Sequence, residues 1–188
     1  VSFFREILGE PSAQEYFPDL TLDGGRICCR IDGGLMPLES TSATTELMNC
    51  SNASQKEVDR AEPDRAARLV DWTLRHKRVR DIQVAFAVRE QKRKLAAHAR
   101  KLPLDGVTDK LCIVVLDILH QGRGRYPAIS AALLADDPLD ALLSIGGSQY
   151  RERVSTLRAG IKDLEAAGHV GRNVYDAELD RFVVPSGA

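Results

Sequence analysis

The chain has 188 residues, of which 44% are hydrophobic and 5% aromatic, and its formal net charge is −1. This length suits one domain or two small ones, with cores filled mainly by aliphatic side chains. The sequence has no apolar run near the ~20 residues of a membrane-spanning helix and no signal-peptide pattern at its start. We therefore expect a cytoplasmic protein without a membrane partner.

The residues before position 39 predict a small N-terminal segment, 1–38, with a short helix and strands. Apolar residues from Phe3 to Leu8 favour the helix, and the β-prone run Arg26 to Ile31 lies between two Gly-Gly pairs, which are typical of turns. The run Leu20 to Leu22 is a candidate antiparallel partner. Residues 39–62 are rich in Ser, Thr, Asn and charge, and this composition predicts a polar linker.

Residues 63–102 are predicted to form a long basic helix, because their interior contains no glycine or proline and is dominated by strong helix formers. Pro63 suits the first turn of such a helix, and Pro103 would end it. The apolar pattern weakens after Trp72, so a break is expected between His76 and Arg80.

The positive charge of the chain is concentrated in this helix. Residues 1–64 carry a net charge of −7, residues 65–101 a net charge of +9, and residues 102–188 a net charge of −3. Two interpretations remain open. The helix is either a solvated scaffold neutralised by the acidic N-terminal part, or an arm that contacts nucleic-acid phosphates; dimerisation through it is compatible with both.

Residues 103–188 predict three helices and a hairpin. The first helix should run from Thr108 to Gln121 with Asp105 or Thr108 as its N-cap, and the second from Ala128 to Leu134, opened by Pro127. Between them, residues 122–127 read as a basic turn rather than a nucleotide-binding loop. Leucines in residues 138–147 add a possible extra helical turn before the third helix.

The third helix is the most informative element. It is predicted from Gln149 to Gly168, which serves as its C-cap glycine. One face is apolar, and a second stripe, well away from it, is polar and basic. The apolar face consists of Val154, Leu157, Ile161 and Leu164, and the second stripe, called here the cationic stripe, consists of Arg151, Ser155, Arg158 and Lys162.

Two β-prone runs, residues 169–174 and 180–184, follow this helix around the loop Tyr175 to Leu179, and they predict a short hairpin. A helix with outward basic and hydroxyl groups and an adjacent hairpin suits insertion into the major groove of DNA.

The segment from Val154-Ser-Thr-Leu157 to Leu164-Glu-Ala-Ala-Gly-His-Val170, with the hairpin, resembles the winged helix-turn-helix superfamily over about 80 of the 188 residues. The resemblance implies a mainly α fold with a small β-hairpin wing: a C-terminal winged helix, preceded here by the long basic helix and a small N-terminal α/β segment. It also implies that duplex DNA is contacted by Arg151, Ser155, Arg158 and Lys162 of the cationic stripe and by Arg172 and Arg181 of the wing.

No enzyme signature is present in the sequence. The four histidines are dispersed, and there is no phosphate-binding loop or nucleophile elbow. Two of the four cysteines are adjacent, which does not suit chelation of one metal ion. We therefore expect no catalytic residue, no cofactor and no metal, and reduced thiols at Cys28, Cys29, Cys50 and Cys112.

The predicted function is duplex DNA binding by a transcriptional regulator or a replication or genome-maintenance factor, as a dimer or within a larger assembly. The alternative is a winged-helix module that binds proteins in a chromosome-organising or replication complex. The net charge of −3 on residues 102–188 favours the alternative, because DNA-binding domains are usually basic.

Overall fold

The computed structural model describes residues 2–31, 33–37 and 55–185. Over these ranges the chain is mainly helical, with two small antiparallel sheets. It divides into two compact units, Val1–Val88 and Arg89–Ala188. The division falls inside a helix, Lys77–Ala99, so the basic segment contributes residues to both units. None of the helices in the described ranges combines the length and the apolar character that crossing a membrane requires.

The N-terminal unit begins with two short helices and a three-stranded sheet. The helices are α1 (Ser2–Leu8) and α2 (Ala13–Tyr16), and the strands are β1 (Leu20–Asp23), β2 (Arg26–Ile31) and β3 (Gly34–Pro37), in the order β1-β2-β3. The predicted helix, the predicted strand and its antiparallel partner are all present. The sequence analysis missed α2, which is a single turn, and β3, whose glycine and proline disfavour a strand assignment.

A two-residue turn joins β1 to β2. Asp23 pairs with Arg26, and the intervening Gly24 and Gly25 have φ angles of +53° and +76°. Positive φ at both central residues is the requirement of a type I′ hairpin turn, which glycine meets without steric penalty. The Gly-Gly pair therefore sets the register of this hairpin.

Helix α3 (Gln55–Arg75) supplies the centre of the N-terminal core. Its Trp72 is fully buried, among aliphatic and aromatic side chains from α1, α2 and the sheet. The indole Nε1 donates a hydrogen bond to Ser12 Oγ at 2.8 Å, and the Tyr16 ring stacks on the indole at a centroid distance of 5.5 Å. The polar N–H of the buried indole is therefore hydrogen-bonded, and its apolar ring is packed against Tyr16.

Two predictions for this region are wrong. The helix begins at Gln55, so residues 55–62 are helical rather than linker, and Pro63 lies inside the helix rather than in its first turn. Residues 55–62, Gln-Lys-Glu-Val-Asp-Arg-Ala-Glu, are mostly good helix formers, and their propensity extends the helix past the position at which proline is preferred. The remainder of the predicted linker, residues 39–54, lies outside the described residues.

The predicted long helix consists of two helices. Helix α3 ends at Arg75 and α4 (Lys77–Ala99) begins after His76, which confirms the expected break. The guanidinium of Arg80 donates Nη1 hydrogen bonds to the carbonyls of Thr73 and Leu74, at 2.9 and 2.6 Å. These bonds satisfy carbonyls that the end of α3 leaves without helical partners.

The C-terminal unit contains four further helices and a hairpin. They are α5 (Asp109–His120), α6 (Tyr126–Leu133), α7 (Pro138–Ser144), α8 (Arg151–Ala166), β4 (Val174–Asp176) and β5 (Arg181–Val183). Of the two predicted N-cap candidates for α5, Asp105 and Thr108, the structure has Thr108 at this position. The predicted extra turn is α7, which is held by the buried side chains of Leu142 and Leu143. The core also includes Leu95, Val114, Val115, Ile118, Ile129, Ile161 and Tyr175.

Helix α8 ends as its sequence predicts. Gly168 has a φ of +71°, its N–H donates to the carbonyl of Glu165 at 2.9 Å, and the N–H of His169 donates to the carbonyl of Leu164 at 2.8 Å. This pair of bonds is a Schellman motif, which requires the left-handed conformation that glycine adopts most easily. The chain is thereby turned from the helix into the hairpin.

The hairpin is shorter than predicted and begins later. Tyr175, assigned to the loop from sequence, is a strand residue opposite Phe182 and is 2% exposed. The backbone accounts for the difference, because Tyr175 accepts from the N–H of Gly106 and donates to the carbonyl of Val107, both at 2.8 Å. Residues before α5 thus pair with β4, and this long-range pairing leaves no local trace in the sequence.

Candidate nucleic-acid interface

The four residues of the cationic stripe lie together on the outer surface of α8. Arg151, Ser155, Arg158 and Lys162 are all exposed. The apolar face turns inward, with Ile161 only 3% exposed and Val154 and Leu157 half-buried. The structure therefore separates the two faces as their spacing of three and four residues requires.

Leu164 is a correction to the predicted apolar face, because it is 40% exposed. It lies in the last turn of α8, just before the Schellman motif. Leu164 lies on the same side of the helix as Val154, Leu157 and Ile161, as the periodicity predicts. The last turn, however, has no core side chain of the described residues to pack against. Leu164 instead accepts the closing hydrogen bond of the helix through its carbonyl.

One arginine of the stripe has an acidic partner. Arg158 Nη1 lies 2.5 Å from Asp140 Oδ1 on α7, and the two side chains are 54% and 58% exposed. An ion pair this exposed contributes at most about 1 kcal/mol. It still offsets one positive charge on the face of α8.

A buried ionic cluster attaches the first turn of α8 to α5. Asp117, whose side chain is 5% exposed, accepts from Arg153 Nε at 2.8 Å and Nη2 at 2.5 Å. Its other oxygen accepts from Arg123 Nη2 at 2.9 Å, and Arg123 Nη1 donates to the carbonyl of Ile145 at 2.6 Å. The three charged side chains therefore fix the position at which the stripe begins.

The sequence analysis missed this cluster. Residues 122–125 lie in the predicted turn, while Tyr126 and Pro127 already belong to α6; within the turn the Arg123 side chain has no exposed area. The available signal was Asp117, an acidic residue inside the otherwise apolar run Leu111 to Leu119. A charge in such a position requires a buried partner.

Gly124 allows the loops around this cluster to approach each other. A Cβ on Gly124 would clash with Ile145 Cγ2. Any other residue at position 124 would push its loop away from Ile145. Arg123, on the same loop, would then be drawn away from the Ile145 carbonyl that it binds.

A second buried carboxylate holds the start of the hairpin. Asp109 Oδ1 accepts from the N–H of Gly171 at 2.5 Å, and Oδ2 accepts from Asn173 Nδ2 at 3.1 Å. The N–H of Asp109 in turn donates to the carbonyl of Asn173 at 2.9 Å. The segment that carries Arg172 is thus anchored to the first turn of α5.

The two wing arginines lie in different surroundings. Arg172 is exposed, and its guanidinium covers Gly168, where an added Cβ would lie 2.6 Å from Nη2. It therefore lies against the C-terminal end of α8, whose partial negative charge favours a cation. Arg181 is exposed on β5 and borders a cavity with Lys92 of α4. The structure thus places Arg172 at the end of α8, before the hairpin, and Arg181 on β5.

The described residues hold no cluster of three or more side chains suited to bind a metal ion. In the same ranges Cys28, Cys29 and Cys112 are buried and not part of a disulfide, while Cys50 lies outside them. Burial, with a smaller contribution from the Asp109 carboxylate, raises the pKa of the Cys112 thiol to about 12. This thiol is therefore protonated and unreactive at neutral pH.

Comparison with known proteins found no match to a protein-family model, to a curated protein or to a solved structure.

Proposed function

We propose that the C-terminal unit is a winged helix-turn-helix that binds duplex DNA through the cationic stripe of α8. The observation that carries the proposal is the exposure of all four stripe residues on a helix whose apolar face and first turn are fixed to the core. The order of helices followed by a hairpin supports it. On this proposal α5, α6 and α8 are the three helices of the motif, and α7 is an insertion before the recognition helix.

In the proposed complex, α8 enters the major groove. Arg151 and Arg158 are suited to bidentate pairing with guanine O6 and N7, while Ser155 and Lys162 contact phosphates. Arg172 and Arg181 follow the neighbouring backbone or the minor groove. The protein is then a binding protein without a catalytic step, and it serves transcriptional control, replication or genome maintenance, as a dimer or in a larger assembly.

The charge of the compact unit supports DNA binding better than the charge of residues 102–188. Arg89–Ala188 contains 15 basic and 13 acidic side chains, a net charge of +2. The difference arises because the end of α4 and the two residues after it belong to this unit and carry six basic residues against one acidic residue: Arg89, Glu90, Lys92, Arg93, Lys94, Arg100 and Lys101. The objection raised by the net charge of −3 is therefore weakened.

The test is a fluorescence-anisotropy titration of random duplex DNA at several salt concentrations. The triple variant Arg151→Ala, Arg158→Ala and Lys162→Ala should lose binding through its two base contacts, and loss of the Lys162 phosphate contact should lower the slope of log affinity against log salt by close to one unit. The matched control removes three exposed cations of the N-terminal unit: Arg5, Arg26 and Arg30.

Equal losses in the two triple variants would show that net charge, rather than the face of α8, governs binding. Unchanged affinity in a stripe variant with normal circular dichroism would contradict the major-groove assignment. Both variants remove the same charge from exposed positions, where substitutions usually alter stability little.

The second candidate is a protein-binding module, favoured by exposed apolar side chains on the same unit. Leu134 at the end of α6 is 80% exposed, Leu179 in the hairpin turn 53%, and Val184 after β5 70%. Such residues are common in protein interfaces when they form a patch. Absence of DNA binding by the parent at every salt concentration would favour this candidate.

A further inference from the structure

A cavity of about 350 Å³ opens beside the hairpin of the C-terminal unit. Its volume lies at the lower end of the range typical of small-molecule sites, about 300–1,000 Å³. It is lined by Lys92, Leu95, Tyr175, Asp180, Arg181 and Phe182.

The inner wall is apolar and rigidly packed. Leu95 and Tyr175 are each 2% exposed, and Phe182 is half-buried beside them. The Tyr175 and Phe182 rings meet edge to face at a centroid distance of 5.5 Å. A preformed wall of this kind accommodates an apolar or aromatic body without reorganisation.

The rim carries two cations that are not neutralised by the protein. Lys92 and Arg181 are both exposed, and neither forms a salt bridge or side-chain hydrogen bond with another residue of the described ranges. The acidic residue of the cavity, Asp180, is engaged instead by the Tyr175 hydroxyl, which donates to Asp180 Oδ1 at 2.9 Å. With two cations and one carboxylate, the cavity carries a net charge of +1.

The backbone fixes the position of that carboxylate. Asp180 has a φ of +48° and is the sole residue other than glycine with a positive φ in the part of the chain that the structure describes. Aspartate tolerates this conformation better than most residues. The turn therefore directs the carboxylate to Tyr175 and leaves the two cations available to a ligand.

We propose that this cavity binds a small aromatic monocarboxylate. The ring packs against the apolar wall, chiefly against the half-buried Phe182, and the carboxylate pairs with Lys92 and Arg181. A monoanion matches the net charge of the site, and arginine binds a carboxylate bidentately.

A consequence for DNA binding rests on the function proposed above. Arg181 belongs both to this cavity and to the wing arginines proposed to follow the DNA backbone. A bound carboxylate would therefore compete with phosphate for the same guanidinium. The site itself does not depend on DNA, so its test is carried out without DNA.

The experiment is isothermal titration calorimetry of the full chain with phenylacetate and with 2-phenylethanol, its neutral counterpart. Phenylacetate should bind at least about tenfold more tightly, because only the anion makes charge-assisted bonds. The double variant Lys92→Met and Arg181→Met should remove that preference and leave the alcohol unaffected. The control Arg125→Met, at an exposed position of the same unit outside the cavity, should retain it.

Binding is located by the backbone amide NMR shifts of Leu95 and Phe182, which should move on titration. Three results would overturn the proposal: no binding of phenylacetate by the parent, equal phenylacetate affinity in the parent and the folded double variant, or shifts confined to other parts of the chain. A failure of DNA binding would leave each of these readouts unchanged, so the two proposals fail separately.

Discussion

Removal of the Asp117 charge should destabilise the C-terminal unit more than removal of its exposed partner. In Asp117→Asn, the guanidinium of Arg123 would remain in a site where its side chain has no exposed area. Breaking a buried pair by neutralising one partner leaves an uncompensated charge and costs about 3–5 kcal/mol. The amide of asparagine can still accept one hydrogen bond, which places the expected loss near the lower end of this range.

The matched substitution is Arg153→Met, which removes the other partner of the same carboxylate. The Arg153 side chain is 50% exposed. In the variant, water can therefore occupy much of the space beside Asp117 that the guanidinium fills in the parent. Its pair with Asp117 should contribute about 1–2 kcal/mol, less than the fully buried pair, because half of the arginine side chain reaches water. Asp117 would keep its bond to Arg123 at 2.9 Å, so no buried charge is left alone.

The assay is urea unfolding of each full-length variant, followed by far-ultraviolet circular dichroism. The midpoint should fall strongly for Asp117→Asn and less for Arg153→Met. Equal shifts for the two variants, or a loss below about 1 kcal/mol for Asp117→Asn, would show that the cluster is open to water and does not hold α8 as described.

Three further predictions concern the acidic partner of the cationic stripe, the apolar face of α8 and the Cys112 thiol. Asp140→Asn removes the acidic partner of the cationic stripe and should raise DNA affinity by up to about fivefold in anisotropy titrations; an equal rise in the exposed control Asp136→Asn would point to net charge alone. Ile161→Ala should cost about 2–5 kcal/mol of unfolding free energy but Leu164→Ala less than about 1, and equal losses in urea unfolding would contradict the observed phase of the helix. Because burial raises the pKa of Cys112 to about 12, iodoacetamide at pH 8 should alkylate this thiol only after unfolding; rapid labelling of the folded chain, detected by mass spectrometry, would disprove that burial.

Local features of the sequence were sufficient to predict several elements. The break at His76, the strand Arg26–Ile31, the end of α8 at Gly168 and the outward direction of the cationic stripe all agree with the structure. Each depends on interactions within a few residues, such as helical periodicity, turn chemistry or the conformational freedom of glycine. These signals are present in any window of the chain that contains the element.

The tertiary structure alone decided which residues became buried partners. Tyr175 reads locally as a loop residue, but backbone pairing with Val107 makes it a strand residue and a core side chain. Arg123 reads locally as part of a basic turn, but the carboxylate of Asp117 binds it in the interior. The Tyr175 contact joins segments whose proximity depends on the packing of the helices between them, and Arg123 is enclosed because the distant Ile145 places its carbonyl against the guanidinium. Periodicity and propensity report the preference of one segment, whereas burial is set by what the other segments place against it.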